Sequence, residues 1–257
     1  MQRYYWYGNV AKSRAILEIV SQSDRKLLVF DYGCGGGGDW PAILRDFPNI
    51  SLVGYEPDAA LFRRAKDALA GTGATLYTGA AIETLAIQAN YVVSFSVFEH
   101  VFDRRAYLQH ARRCLAPKGT FYLNYDDGHF RNLLDLNDPS QWKRVLRVWI
   151  HNRLAKVLPH RLLDKYQSRV RRQDADRMVA EAGFMIMDER YENLESMKAL
   201  IKTVRPEKYD SFTSLWLDLE RQLNEHFLCN GPEKHGDTAN LWHYMGTRTL
   251  VLQHRVP

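Results

Sequence analysis

A chain of 257 residues with 46% hydrophobic and 25% charged residues has the make-up of an ordinary globular protein, long enough to bury a sizeable core. Three cysteines, Cys34, Cys114 and Cys229, form no pairing or zinc-ligating pattern, which excludes a disulfide framework and points to a reducing, cytoplasmic setting. No apolar stretch is long enough to span a bilayer, the first ten residues lack the apolar core of a signal peptide, and the formal charge of +5 is modest but unevenly spread.

The amino terminus is aromatic, with Tyr4, Tyr5, Trp6 and Tyr7, and leads into a helix expected over Ala11 to Val20. The stretch LLVFDYGCGGGGDW, Leu27 to Trp40, organises the rest. Leu27 to Phe30 is apolar without alternation, as in a strand covered on both faces of a parallel sheet. Asp31 then places a carboxylate at the strand's carboxyl end, and Gly33, Gly35, Gly36, Gly37 and Gly38 follow. Glycines let a ligand approach the backbone closely. Asp39 suits an N-cap and Pro41 a first helical turn. Strand, glycine loop and helix N-terminus together make a nucleotide-type binding site.

A short helix, Pro41 to Phe47, leads to a second strand, Ser51 to Tyr55, that ends at Glu56. A carboxylate there can accept both hydroxyls of a ribose. Asp58 reads as the cap of a helix with the stripe Leu61, Phe62, Ala65 and Leu69, stopped by Gly71. Strands are expected at Ala74 to Thr78, Tyr91 to Phe95 and Thr120 to Asn124, with a helix between the last two capped by Asp103. Asp174 to Ala182 reads as a helix stopped by Gly183, followed by strands at Phe184 to Glu189 and Tyr244 to His254. Alternating strands and helices define an α/β protein with a doubly wound sheet.

Residues 130–173 and 194–242 exceed what such a sheet needs and are expected as helical insertions in one domain spanning 1–257, forming a lid or substrate cap. Residues 143–172 hold ten Lys or Arg against the single acid Asp164, a local +9, so the remaining residues carry −4. Trp142, Leu146, Trp149, Ile150, Leu154, Val157 and Leu158 are interleaved with those charges. A basic amphipathic helix of this kind lies on an anionic membrane surface, grips an anionic substrate, or packs with its polar face in solvent. Nucleic acid is not expected, because no RNA-binding module is present.

The glycine loop fits two patterns. Gly33, Gly35 and Gly38 satisfy the GxGxxG of dinucleotide sites. Gly33, Gly35 and Gly37 preceded by Asp31 resemble instead the first motif of class I S-adenosylmethionine-dependent methyltransferases. Asp31 favours the second pattern, since a carboxylate repels a pyrophosphate and attracts the ammonium of S-adenosylmethionine. SVFEHVFD, Ser96 to Asp103, and LAPKG, Leu115 to Gly119, resemble that family's fourth-strand motif and its turn before strand five. The resemblance covers roughly residues 27–127 and implies a Rossmann-like, mostly parallel seven-stranded sheet with the last strand antiparallel between strands five and six. It also implies S-adenosyl-L-methionine as cofactor, with Asp31, Gly33, Gly35, Gly37, Glu56, Ala81, Ile82 and Ser96 as its contacts. Ala80 stands where the family commonly has an acid, which leaves adenine recognition to backbone groups and Ile82. The resemblance further implies a lid over the cofactor from the segment before the first strand, employing the tyrosines and Arg14; an aromatic cover over the sheet edge fits that segment equally.

Ligands of open α/β sheets bind beyond the carboxyl ends of the strands. That rule selects His100 after strand four, and Asp126, Asp127 and His129 after strand five. His129 and His100 are the candidate bases for a hydroxyl acceptor. A metal site is not expected, because adjacent Asp126 and Asp127 diverge in an extended chain and only Glu99 could join them. The expected activity is methyl transfer, at oxygen, to a small-molecule, lipid-linked or glycan acceptor. A nicotinamide-dependent oxidoreductase and an inactive cofactor-binding regulator are the alternatives.

Overall fold

The computed structural model describes residues 9–22, 24–38, 40–126, 146, 149–150, 153–154, 157, 166–168, 170–229 and 245–255. Tyr4 to Tyr7, Asp39, Asp127, His129 and most of residues 130–165 and 230–242 lie outside them. The first half alternates strand and helix: α1 Val10–Val20, β1 Leu27–Tyr32, α2 Trp40–Asp46, β2 Ile50–Tyr55, α3 Ala59–Ala68, β3 Thr75–Tyr77, α4 Ala81–Thr84, β4 Ala89–Phe95, α5 Arg104–Cys114 and β5 Leu115–Asp126. Then come α6 Arg172–Glu181, β6 Phe184–Leu194, α7 Glu195–Leu200, α8 Tyr209–Cys229 and β7 Met245–His254. The strands form one seven-stranded sheet in the order β3-β2-β1-β4-β5-β7-β6. β1 to β5 are parallel, and β7 pairs antiparallel with both β5 and β6.

Both faces of the sheet are covered, which is why β1 reads as an unbroken apolar run. Leu27 and Val29 face α1 and α2 with Ile16, Ile19, Trp40 and Ile43. Phe30 and Tyr32 face the opposite layer with Tyr107, Leu108, Ala111 and Val179. Local signals end the helices as expected: Asp58 Oδ1 accepts from the amides of Ala60 and Leu61, and Asp103 Oδ1 from that of Ala106. Gly71 and Gly183 follow α3 and α6 with φ of 76° and 81°.

Three differences have physical causes. Asp31 lies inside β1, because the strand runs on through Tyr32. The LAPKG turn stays within β5 as an irregularity: Leu115 pairs with Ala89, and the register resumes at Tyr91 and Thr120. β6 continues to Leu194, five residues past its expected end, because distant partners neutralise its polar residues. Arg14 Nε is 2.7 Å from Glu192 Oε1, and Asn193 Oδ1 accepts from the amide of Val10. Arg14 therefore belongs to this buried cluster, not to a cofactor lid. From α8, Glu220 Oε1 accepts from the amide of Leu194 and the indole of Trp216.

Burial and the neighbouring Glu192 carboxylate push Glu220 up to about 8 from its ordinary 4.5. The fold therefore favours the protonated acid. That stability is fully present below the ordinary value and is lost as pH rises through about 8. Thermal unfolding is expected to show a midpoint that falls across this window. Glu220→Gln, which mimics the neutral acid, is expected to flatten the fall; an unchanged pH profile in that variant excludes Glu220 as its source.

Candidate active site

The site is built where β1 and β4 separate at their carboxyl ends. After Tyr32 the chain turns, and the amides of Gly33 and Cys34 both donate to the Tyr55 carbonyl, at 2.9 and 3.0 Å, tying the loop to the end of β2. Gly33 has φ +95°, and a Cβ there would stand 2.4 Å from Val97 Cγ2, so no side chain fits. Gly35, at φ +58°, has nothing within 4 Å on its Cβ side. Gly37 (φ +85°) packs against Ala65, Ala68 and Leu69, letting α3 close on the loop.

Glu56, 6% exposed, is the second fixed point. Its Oε2 accepts from the Gly35 amide at 2.8 Å and its Oε1 from the Asp58 amide at 2.9 Å. One carboxylate thus joins the loop after β1 to the turn before α3. Burial raises its pKa, against the lowering effect of the two amides. Asp31, 1% exposed, lies at the base of the loop. Its Oδ2 accepts from Trp40 Nε1 at 2.7 Å and lies 3.5 Å from Lys12 Nζ. The Lys12 ammonium also sits 5.9 Å from the centre of the Phe95 ring, at the end of β4. Sequence reasoning missed both partners of Asp31. Trp40 could have been suspected from its place directly after the glycines. Lys12, nineteen residues away, left no local signal.

The β4 side supplies Ser96, exposed with φ +55°, whose amide donates to the Asn124 carbonyl. A non-glycine residue in this conformation is strained and marks a place where the surroundings dictate the backbone. Phe98–His100 then forms a single 3-10 turn. His100 is exposed, with Nδ1 3.2 Å from the Tyr166 carbonyl oxygen. Arg104, which the sequence did not single out, donates to the carbonyls of Phe98 and Ser168 at 3.0 and 2.6 Å, while the Ser168 amide donates to the Glu99 carbonyl. The end of the first insertion is thereby fastened beside β4. A cation at the start of a helix opposes the helix dipole, and these carbonyls offset that. Ala81 and Ile82 open α4, with Ile82 buried, and the Tyr55 hydroxyl donates to the preceding Gly79 carbonyl. Asp126 is buried at the end of β5. Among the described residues, no group of three His, Cys, Asp or Glu is placed to hold a metal ion.

A parallel sheet with an antiparallel β7 inserted beside β5, and a glycine loop joined to a strand-end acid, define a Rossmann-like methyltransferase. Residues 7–189 match the model of a family described as "Methyltransferase domain". The chain belongs to that family and is an S-adenosylmethionine-dependent methyltransferase. This sets aside the nicotinamide-dependent alternative. No curated protein matches at the level of sequence. Solved structures of the same fold include a putative sarcosine dimethylglycine methyltransferase from Galdieria sulphuraria, at 14% identity and a TM-score of 0.54, covering 94% of this chain and 83% of that one. A mycolic acid cyclopropane synthase complexed with SAH and CTAB matches at 14% identity and a TM-score of 0.51, over 94% of this chain and 84% of that one. Phosphoethanolamine N-methyltransferase 2 from Haemonchus contortus, in complex with S-adenosyl-L-methionine, matches at 13% identity and a TM-score of 0.53, over 95% of this chain and 53% of its own.

Proposed function

We propose that the protein transfers a methyl group to a hydroxyl of a small-molecule acceptor or of one linked to a lipid or glycan. The observation that carries the cofactor part of this reading is the cradle between Gly35 and Glu56. It has open space beside the backbone of the first, a buried carboxylate on the second, and a bond joining them. These residues fit S-adenosylmethionine. Gly33, Gly35 and Gly37 bring backbone to the ligand, and Glu56 takes the ribose hydroxyls on the lone pairs its two amides leave. Asp31, below the loop with Trp40 and Lys12, is assigned to the ammonium end. Ala81, Ile82 and Ser96 border the adenine and the methyl-bearing end. Bound cofactor supplies a methyl already activated on a sulfonium, so the protein's task is to align the acceptor and take up its proton.

Of two neighbours of the same fold, one is named for a lipid acid, mycolic acid, and the other for a small phosphate ester, phosphoethanolamine, which supports a lipid or small-molecule acceptor. His129 and His100 remain the proposed bases, His100 through the ring nitrogen opposite the one near Tyr166. Single alanine variants at both positions, assayed for methyl transfer across pH, test the assignment. The expected result for the true base is a drop of about 100-fold in kcat, the lower range for general base catalysis, with loss of the acid limb of the pH profile. Full kcat in both variants at every pH would leave positioning as the main device. The insertions 130–173 and 194–242 are proposed to cap the acceptor. Arg104 and Ser168 support this for the first, by holding its end beside β4. For the second, α8 supports a buttress more than a cap, since its described contacts include α1, β6 and the main core.

A further inference from the structure

The described residues at the centre of the first insertion form one stripe. Leu146, Trp149, Ile150, Arg153, Leu154 and Val157 are helical, and spacings of three and four put them on one helix face. The five apolar members are all exposed, Trp149 to 55% and Val157 to 75%. The Arg153 guanidinium lies over the Trp149 indole, 5.2 Å from the ring centre. Contiguous apolar surface of this kind marks an interaction site.

Charge selects the partner. The stripe sits in a segment whose ten Lys or Arg face one acid in the sequence, so a second copy of the same face would bring like charges together. An anionic lipid surface matches both properties at once. Apolar side chains enter the acyl boundary, tryptophan suits the interface, and arginine reaches back to the headgroups. A stripe that is exposed along one helix face lies in the plane of the surface.

We propose that this stripe docks the protein on an anionic lipid bilayer. Shortly after the stripe, Tyr166 and Ser168 meet His100 and Glu99 at the carboxyl edge of β4. Docking therefore presents the site to an acceptor held at that surface; this second statement rests on the lipid-linked acceptor proposed above.

The test is sedimentation of the full chain with vesicles of phosphatidylcholine alone and of phosphatidylcholine with phosphatidylglycerol, at low and high salt. Binding is expected on the anionic vesicles and is expected to fall with salt. Trp149→Ala combined with Leu154→Ala should weaken it more than tenfold by removing two anchors. Arg153→Glu should weaken it about tenfold, on anionic vesicles only. Calorimetry with S-adenosylmethionine on the same preparations should be unchanged, which separates a failed docking face from a failed enzyme or a misfolded variant. Equal binding to both vesicle types, parent-like binding of the variants, or no vesicle binding overturns the proposal. Concentration-dependent dimers abolished by the double substitution would also overturn it, and would assign the face to a second copy.

Discussion

Alanine at Gly33 is expected to damage stability and cofactor binding together, whereas alanine at Gly35 is expected to damage binding far more than stability. At Gly33 the added methyl meets Val97 Cγ2 at 2.4 Å and Cγ1 at 3.0 Å, in a backbone at φ +95°. The conformation costs about 1–2 kcal/mol for a residue with a Cβ, and overpacking typically adds about 1–3 kcal/mol. Val97 must shift to make room, and it directly precedes the turn that carries Phe98 and Glu99, both buried. At Gly35 the methyl enters open space, so only the cost of φ +58° remains for the folded chain. That space is the side proposed for the cofactor. A methyl there would hold the ligand off the backbone and weaken its binding by at least tenfold, about 1.4 kcal/mol. Thermal unfolding and calorimetry with S-adenosylmethionine on the two variants separate these effects. If Gly35→Ala binds the cofactor as the parent does, the open side of the loop is not the binding side.

Glu56→Ala is expected to lower cofactor affinity by about 30-fold, roughly 2 kcal/mol, in line with one lost hydrogen bond to a charged group. Three things disappear together: the proposed acceptor for the ribose, the bond to the Gly35 amide and the bond to the Asp58 amide. Both amides would lose their described partner, so stability falls as well. Glu56→Gln separates the roles. It keeps an acceptor for one amide but turns an NH2 toward the other and withdraws the charge, so it should lose most of the affinity. Acidity gives a further check. Burial raises the Glu56 pKa above the ordinary 4.5. The folded state thus favours its protonated form, and ligand binding needs the carboxylate, so affinity should fade on acidification at a higher pH than for a free glutamate. Unchanged affinity in Glu56→Ala would remove this residue from the site.

Much of this was legible in the chain because it is encoded locally. The glycine run, Asp58, Asp103, Gly71 and Gly183 act within a few residues of themselves, and their turns and caps stand where their types demand. The unalternating apolar β1 announced a sheet covered on both faces. The strand order and the antiparallel β7 came from family resemblance instead, since periodicity alone does not say which strand lies beside which.

Long-range polar contacts were not legible. Arg14, which fitted a cofactor lid or a cover over the sheet edge equally, lies against Glu192; β6 was expected to end at Glu189 and continues to Leu194. Asn90 accepts from the Leu28 amide across the sheet. Arg104 passed as one more charge in a basic helix, yet it ties the first insertion to β4. The sequence by itself determined the class of fold, the place of the cradle and the basic, apolar character of the insertion, because spacing and composition carry those. Only the tertiary structure decided that Asp31 is held by Trp40 and Lys12, that Glu56 joins two loops, and that Asn124 reaches Thr249 across 125 residues of chain. A buried polar group must find a partner, but nothing in its own neighbourhood of the chain says which one.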